Sequence, residues 1–138
     1  MHRAILLRAA DDLASDPMHW TEISQRRTGD VVVLDLRGVL TLSEEDRRLL
    51  PAIAAMLERG QRAFLLNLQH LSYIDSPGIG EIVGAYTRVK REGGMLKLCN
   101  VSPRVMEVLR ATNLDGVLEM FEDETAALRG MTDPHLDH

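Results

Sequence analysis

Leu71-Ser72-Tyr73-Ile74-Asp75-Ser76-Pro77-Gly78-Ile79-Gly80-Glu81 leads from a buried strand into a helix, and the class of fold follows from that passage. Upstream, Ala63-Phe64-Leu65-Leu66-Asn67-Leu68 is a nearly unbroken apolar run, as expected of a strand covered on both faces, and His70 to Ile74 reads as a short loop. Downstream, Ile79, Ile82, Val83, Tyr86 and Val89 recur at helical spacing until Gly93-Gly94 stops them. Between the two, Ser76 is the expected N-cap, its side-chain oxygen taking an orphan backbone N–H. Pro77 suits the first helical position, where a missing N–H costs nothing.

The same grammar recurs in both directions. Towards the N-terminus, His19 to Arg27 alternates weakly and reads as an edge strand, Gly29-Asp30 as a turn, and Val31-Val32-Val33-Leu34-Asp35-Leu36 as an interior strand. After Gly38, Ser43 is the expected cap of a helix whose first turn carries Glu44, Glu45 and Asp46, where negative charge suits the helix dipole. Its apolar stripe is Leu49, Leu50, Ile53, Met56 and Leu57, ended by Gly60. Towards the C-terminus, Met95 to Cys99 reads as a third interior strand, and Ser102-Pro103 opens a helix with Val105, Met106, Val108 and Leu109 as its apolar residues. Asn113 is a left-handed cap candidate, Val117 to Phe121 a last strand, and Asp123-Glu124 the start of a final helix reaching about Arg129. Two strands followed by helix and strand in alternation imply an α/β sandwich, a mostly parallel sheet with helices packed on it. Residues 1–18 read as an extension, unstructured or a short helix, 19–130 as a single domain, and 131–138 as a polar tail.

Composition narrows the function. A chain of 138 residues, 45% hydrophobic and 27% charged, has the balance of an ordinary globular domain and the length to bury a core without disulfides or metals. A formal charge of −5, with scattered lysines and arginines, offers no basic face for nucleic acid. Ala4-Ile5-Leu6-Leu7 is too short for a signal-peptide core or a membrane span, so the expected compartment is the cytoplasm. Cys99, the single cysteine, reads as a packed small hydrophobe.

Chemistry is sought where a parallel strand ends and a helix begins. Ser76 stands where a hydrolase would carry its nucleophile, but Ile74 replaces the first glycine of G-x-S-x-G, and the only histidines downstream are His135 and His138. Gly78 and Gly80 are not followed by the Lys-Ser/Thr pair of a phosphate-binding loop. A phosphoaspartate at Asp75 would need further carboxylates at neighbouring strand ends, where only Asp35, inside its strand, is on offer. His70 is a lone loop histidine, and Asp133, His135, Asp137 and His138 are metal-ligand types in a tail without a supporting shell. No catalytic residue, cofactor or metal is therefore assigned, and the chain reads as a binding module.

The turn, its strand order, Gly38-Val39-Leu40 at the end of the second strand and Leu114-Asp115-Gly116-Val117 near the last one together resemble a STAS domain, in particular the bacterial anti-sigma factor antagonists. The resemblance runs from about Thr21 to Arg129. It implies a protein that binds an anti-sigma factor with serine kinase activity, the partner holding the ATP, and so frees a sigma factor. It also implies a partner-binding surface at Asp75, Ser76, Pro77, Gly78, Ile79 and Gly80, with Thr41 and Leu42 beside it. In such proteins the second serine of D-S-S-G is phosphorylated, which breaks the complex by placing negative charge in the interface.

Here that position is Pro77, which has no hydroxyl, and Thr41 stands where these antagonists usually carry an aspartate. Three readings follow. The chain is an antagonist without the usual off-switch; or Ser76 has become the acceptor, against its expected use as a cap; or the module serves a stress-sensing or lipid- or anion-transport complex. Ser102-Pro103, which opens another helix of the same chain, is the internal control for the turn.

Overall fold

The computed structural model describes residues 21–40 and 49–132. The chain runs β1 (Thr21–Thr28), β2 (Val31–Leu40), α1 (Leu49–Glu58), β3 (Ala63–Ile74), α2 (Ser76–Arg91), β4 (Met95–Cys99), α3 (Pro103–Ala111), β5 (Met120–Phe121) and α4 (Glu124–Thr132). The five strands lie in the order β1-β2-β3-β4-β5; β1 is antiparallel to β2, and the remaining neighbours are parallel. A right-handed crossover through a helix is the short way to join parallel neighbours, so the α/β architecture expected from the sequence is the one observed.

Strand periodicity sorts the core into two faces. Val32, Leu34, Leu36, Phe64, Leu66, Leu68, Leu96 and Leu98 pack with Ile53, Leu57, Ile82, Val105 and Leu109 of α1, α2 and α3. On the other face Val31, Val33, Leu65 and Cys99 meet Ala127 and Met131 of α4. Central strands covered on both faces need apolar residues at successive positions, which is why these runs read so clearly as interior strands.

Polar residues on the α4 face are bound into a network. Arg26 grips Asp35 through Nε and Nη2 at 2.7 and 2.9 Å and donates to both carboxylate oxygens of Glu124 at 2.8 and 2.7 Å. Asn67 donates to Asp35 at 2.8 Å and accepts from Asn100 at 2.9 Å. Burial pushes the Asp35 carboxyl up, but the hydrogen bonds from Arg26 and Asn67 outweigh it and hold the group below its ordinary range. Burial pushes the Cys99 thiol up to about 12, which makes it an inert core residue.

Several boundaries differ from the sequence expectation. The segment His70 to Ile74 is not a loop: β3 continues through it to Ile74, pairing Gly38 with Leu71, Val39 with Tyr73 and Leu40 with Ile74 across two register irregularities. Those irregularities break the alternation, so Leu71 and Ile74 are buried while Ser72 and Tyr73 are exposed. The last strand is only Met120–Phe121, because Val117 belongs to a turn closed on Leu114. Helix α4 reaches Thr132 with Met131 in the core, so the first two residues of the expected tail belong to the fold. Asn113 does adopt the left-handed conformation, at φ 62°. The Ser43 cap with Glu44, Glu45 and Asp46, the extension 1–18, and Asp133, His135, Asp137 and His138 lie outside the described residues.

Candidate functional site

The turn at Asp75 stands at the carboxyl end of β3, beside the end of β2. Ser72 Oγ donates to Gly38 O at 2.9 Å, which ties the two strand ends together. Asp75 is extended, with φ −113° and ψ −178°, and its Oδ1 accepts from Gly78 N at 2.9 Å while its carbonyl accepts from Ile79 N at 2.9 Å. Asp75, and not Ser76, is therefore the N-cap, and Ser76 and Pro77 occupy the first two positions of α2. The shift has a physical reason: a carboxylate caps as well as a hydroxyl does, and its negative charge faces the positive end of the helix.

Three of the turn residues, Ser76, Pro77 and Gly80, are exposed. Asp75 is half-buried, and Gly78 and Ile79 lie beneath the surface, Ile79 in the main core. A Cβ added at Gly80 would meet no atom within 4 Å, so the surface there is open. Tyr73, 43% exposed, adds an aromatic side chain that sequence reasoning left in a loop. Thr41 and Leu42 lie outside the described residues.

Two residues weighed for other chemistries, Asp35 and His70, lie among the described residues. Asp35 is five residues before the end of β2, about 16 Å at the rise of a strand, so it does not share a metal with Asp75. Its carboxylate is already held by Arg26 and Asn67. His70 is exposed and paired in register with Arg37, four residues before the strand end. Among the described residues no group of three or more His, Cys, Asp or Glu is arranged to hold a metal ion.

One residue beside the turn was not singled out from the sequence. Glu81 is 8% exposed, and its Oε2 accepts from Leu50 N of α1 at 3.3 Å. The only hint was a carboxylate set between Gly80 and Ile82 in an otherwise apolar stretch.

Comparison with known proteins identifies the fold to which this turn belongs. The STAS domain family matches residues 22–127. The chain belongs to this family. Among curated relatives, this STAS domain is 27% identical over 107 residues to the anti-sigma F factor antagonist of Paenibacillus polymyxa, covering 78% of this chain and 92% of that one. It is 40% identical over 53 residues to the anti-sigma-B factor antagonist of Bacillus subtilis, covering 38% of this chain and 49% of that one. Among solved structures, an anti-sigma-factor antagonist (STAS) domain protein from Planctomyces limnophilus superposes with a TM-score of 0.66 at 26% identity, over 80% of this chain and 97% of that one. Among the described residues of this STAS domain no helix is long and apolar enough to cross a membrane.

Proposed function

We propose that this STAS domain is a cytoplasmic binding module of the anti-sigma factor antagonist type. It captures an anti-sigma factor with serine kinase activity, which holds the ATP, and so releases a sigma factor. The surface is Ser76, Pro77 and Gly80 over Gly78 and Ile79, capped by Asp75 and edged by Tyr73; Thr41 and Leu42 are assigned to it on sequence alone. The observation that carries this reading is the exposure of the helix start at a strand-end turn, in a chain whose relatives bear the antagonist name. Small side chains there let a large partner approach closely.

Pro77 sets the regulation. An exposed residue without a hydroxyl forms no phosphate ester, so the complex is not dissolved at that position in the usual way. A second reading is favoured by one observation: with Asp75 as the cap, the Ser76 hydroxyl is exposed and is left as an acceptor one residue earlier.

Copurification of partners from the source organism, with mass analysis of the chain, tests both. An anti-sigma factor recovered with an unphosphorylated chain supports the unswitched antagonist. Phosphate on Ser76, lost in Ser76→Ala, supports the second reading. Recovery of a transporter or stress-sensing assembly in place of an anti-sigma factor would overturn both, and so would an esterase activity abolished by Ser76→Ala.

A further inference from the structure

Buried carboxylates are rare because charge is costly to remove from water, and a helical glutamate on a solvated face carries no such cost. Glu81 is buried all the same, on the helix that opens with the docking turn and one residue after its open glycine, Gly80. Its Oε2 reaches across to α1 and accepts from Leu50 N at 3.3 Å. The side chain of Leu50 in turn lies over α2 at Gly84, where an added Cβ would come 3.6 Å from Leu50 Cδ2. One contact sets the height of α1 along α2 and the other sets their separation. Pro51, next in the chain, is exposed on the same helix.

We infer that Glu81 is a positioning residue for partner docking: a carboxylate buried from the partner that holds Leu50 of α1 against α2, so that Leu50 and Pro51 continue the surface begun at Ser76, Pro77 and Gly80. The inference rests on the docking reading above. Specificity then depends on a residue that the partner does not touch, because the spacing of two helices is part of what the partner recognises.

Two measurements on the full chain test it. Without any partner, nuclear Overhauser contacts between the Leu50 methyls and the Gly84 α-protons are expected to persist in wild type and Glu81→Gln, which keeps an acceptor at the same reach. They are expected to vanish in Glu81→Asp, which keeps the charge but is one methylene short. With the anti-sigma factor that copurifies with the chain, calorimetric titration is expected to show Glu81→Gln within about twofold of wild type, and Glu81→Asp and Glu81→Ala weakened on the order of tenfold. Met131→Ala, in the α4 core, lowers thermal stability and is expected to leave affinity unchanged, which separates positioning from general destabilisation. If Glu81→Ala does not fold, Glu81→Asp decides. Unaltered contacts and affinity in Glu81→Asp, or equal loss in Glu81→Gln, would overturn the inference. Gly80→Arg without effect on the titration would instead remove the docking reading beneath it.

Discussion

Two helices of this domain open on the same dipeptide and use it differently. At the start of α3, Ser102 is the cap: its Oγ accepts from Val105 N at 3.2 Å, and Pro103 takes the first helical position. At the start of α2, Asp75 does that work, and Ser76 and Pro77 are each moved one place into the helix. The residue before the serine makes the difference, apolar Val101 in one case and Asp75 in the other. Ser102 is half-buried and its hydroxyl is used within the fold, whereas Ser76 is exposed. One hydroxyl is used within the fold, and the other is exposed on the surface proposed for the partner.

The largest expected effect comes from making the two starts equally bulky at the fifth residue after each cap. Gly80→Arg places a long side chain into open space on the α2 start, so the fold tolerates it, while a docked partner does not. Affinity for the anti-sigma factor is expected to fall about 100-fold or more, near 2.7 kcal/mol, by calorimetric titration. Glu107→Arg, at the matching exposed position of α3, is expected to leave it unchanged. Equal losses would mean that the starts do not differ in function.

Next in size is a substitution that restores the missing hydroxyl. Pro77→Ser is accommodated at the second position of a helix, where propensity differences are small and the N–H is unpaired in any case. In the presence of the proposed kinase partner and ATP it is expected to take up phosphate, seen by mass analysis, and to dissociate roughly tenfold more readily than wild type under the same conditions. A phosphate group on Pro77→Ser with unchanged affinity would break the idea that this helix start carries the switch. The same treatment of Pro103→Ser is expected to yield no phosphate.

How much of this could be read from residues alone depends on range. The interior strands were legible because Val31 to Leu34 and Phe64 to Leu66 are apolar at successive positions, a pattern that only a strand covered on both faces requires. The Ser102 cap was legible because no competing acceptor precedes it. The Asp75 cap was not, because aspartate and serine rank together as caps and proline fits either of the next two positions. The extension of β3 to Ile74 was hidden by Gln69, His70 and Ser72, whose polar side chains follow register irregularities that belong to the pairing with β2. Longer contacts left no local trace: Arg26 meets Glu124 across 98 residues, and Glu81 meets Leu50 across 31. The turn at Asp75 thus announced itself as a motif, while the contacts between distant elements came only with the tertiary structure.

The capping assignments predict smaller and more pointed effects, measured by urea unfolding of single variants. Asp75→Ala and Ser102→Ala each remove the acceptor of a helix-start N–H and are each expected to cost about 1 kcal/mol, within the usual 0.5–2 kcal/mol for a lost cap. Ser76→Ala is expected to change stability by only a few tenths of a kcal/mol, because it removes an exposed hydroxyl from a first-turn position and leaves the Asp75 cap intact. A loss near 1 kcal/mol for Ser76→Ala, matching Ser102→Ala, would show that the two serines do the same work after all. The Ser76 hydroxyl would then be committed to the fold, and its candidacy as a phosphate acceptor would fall with the comparison.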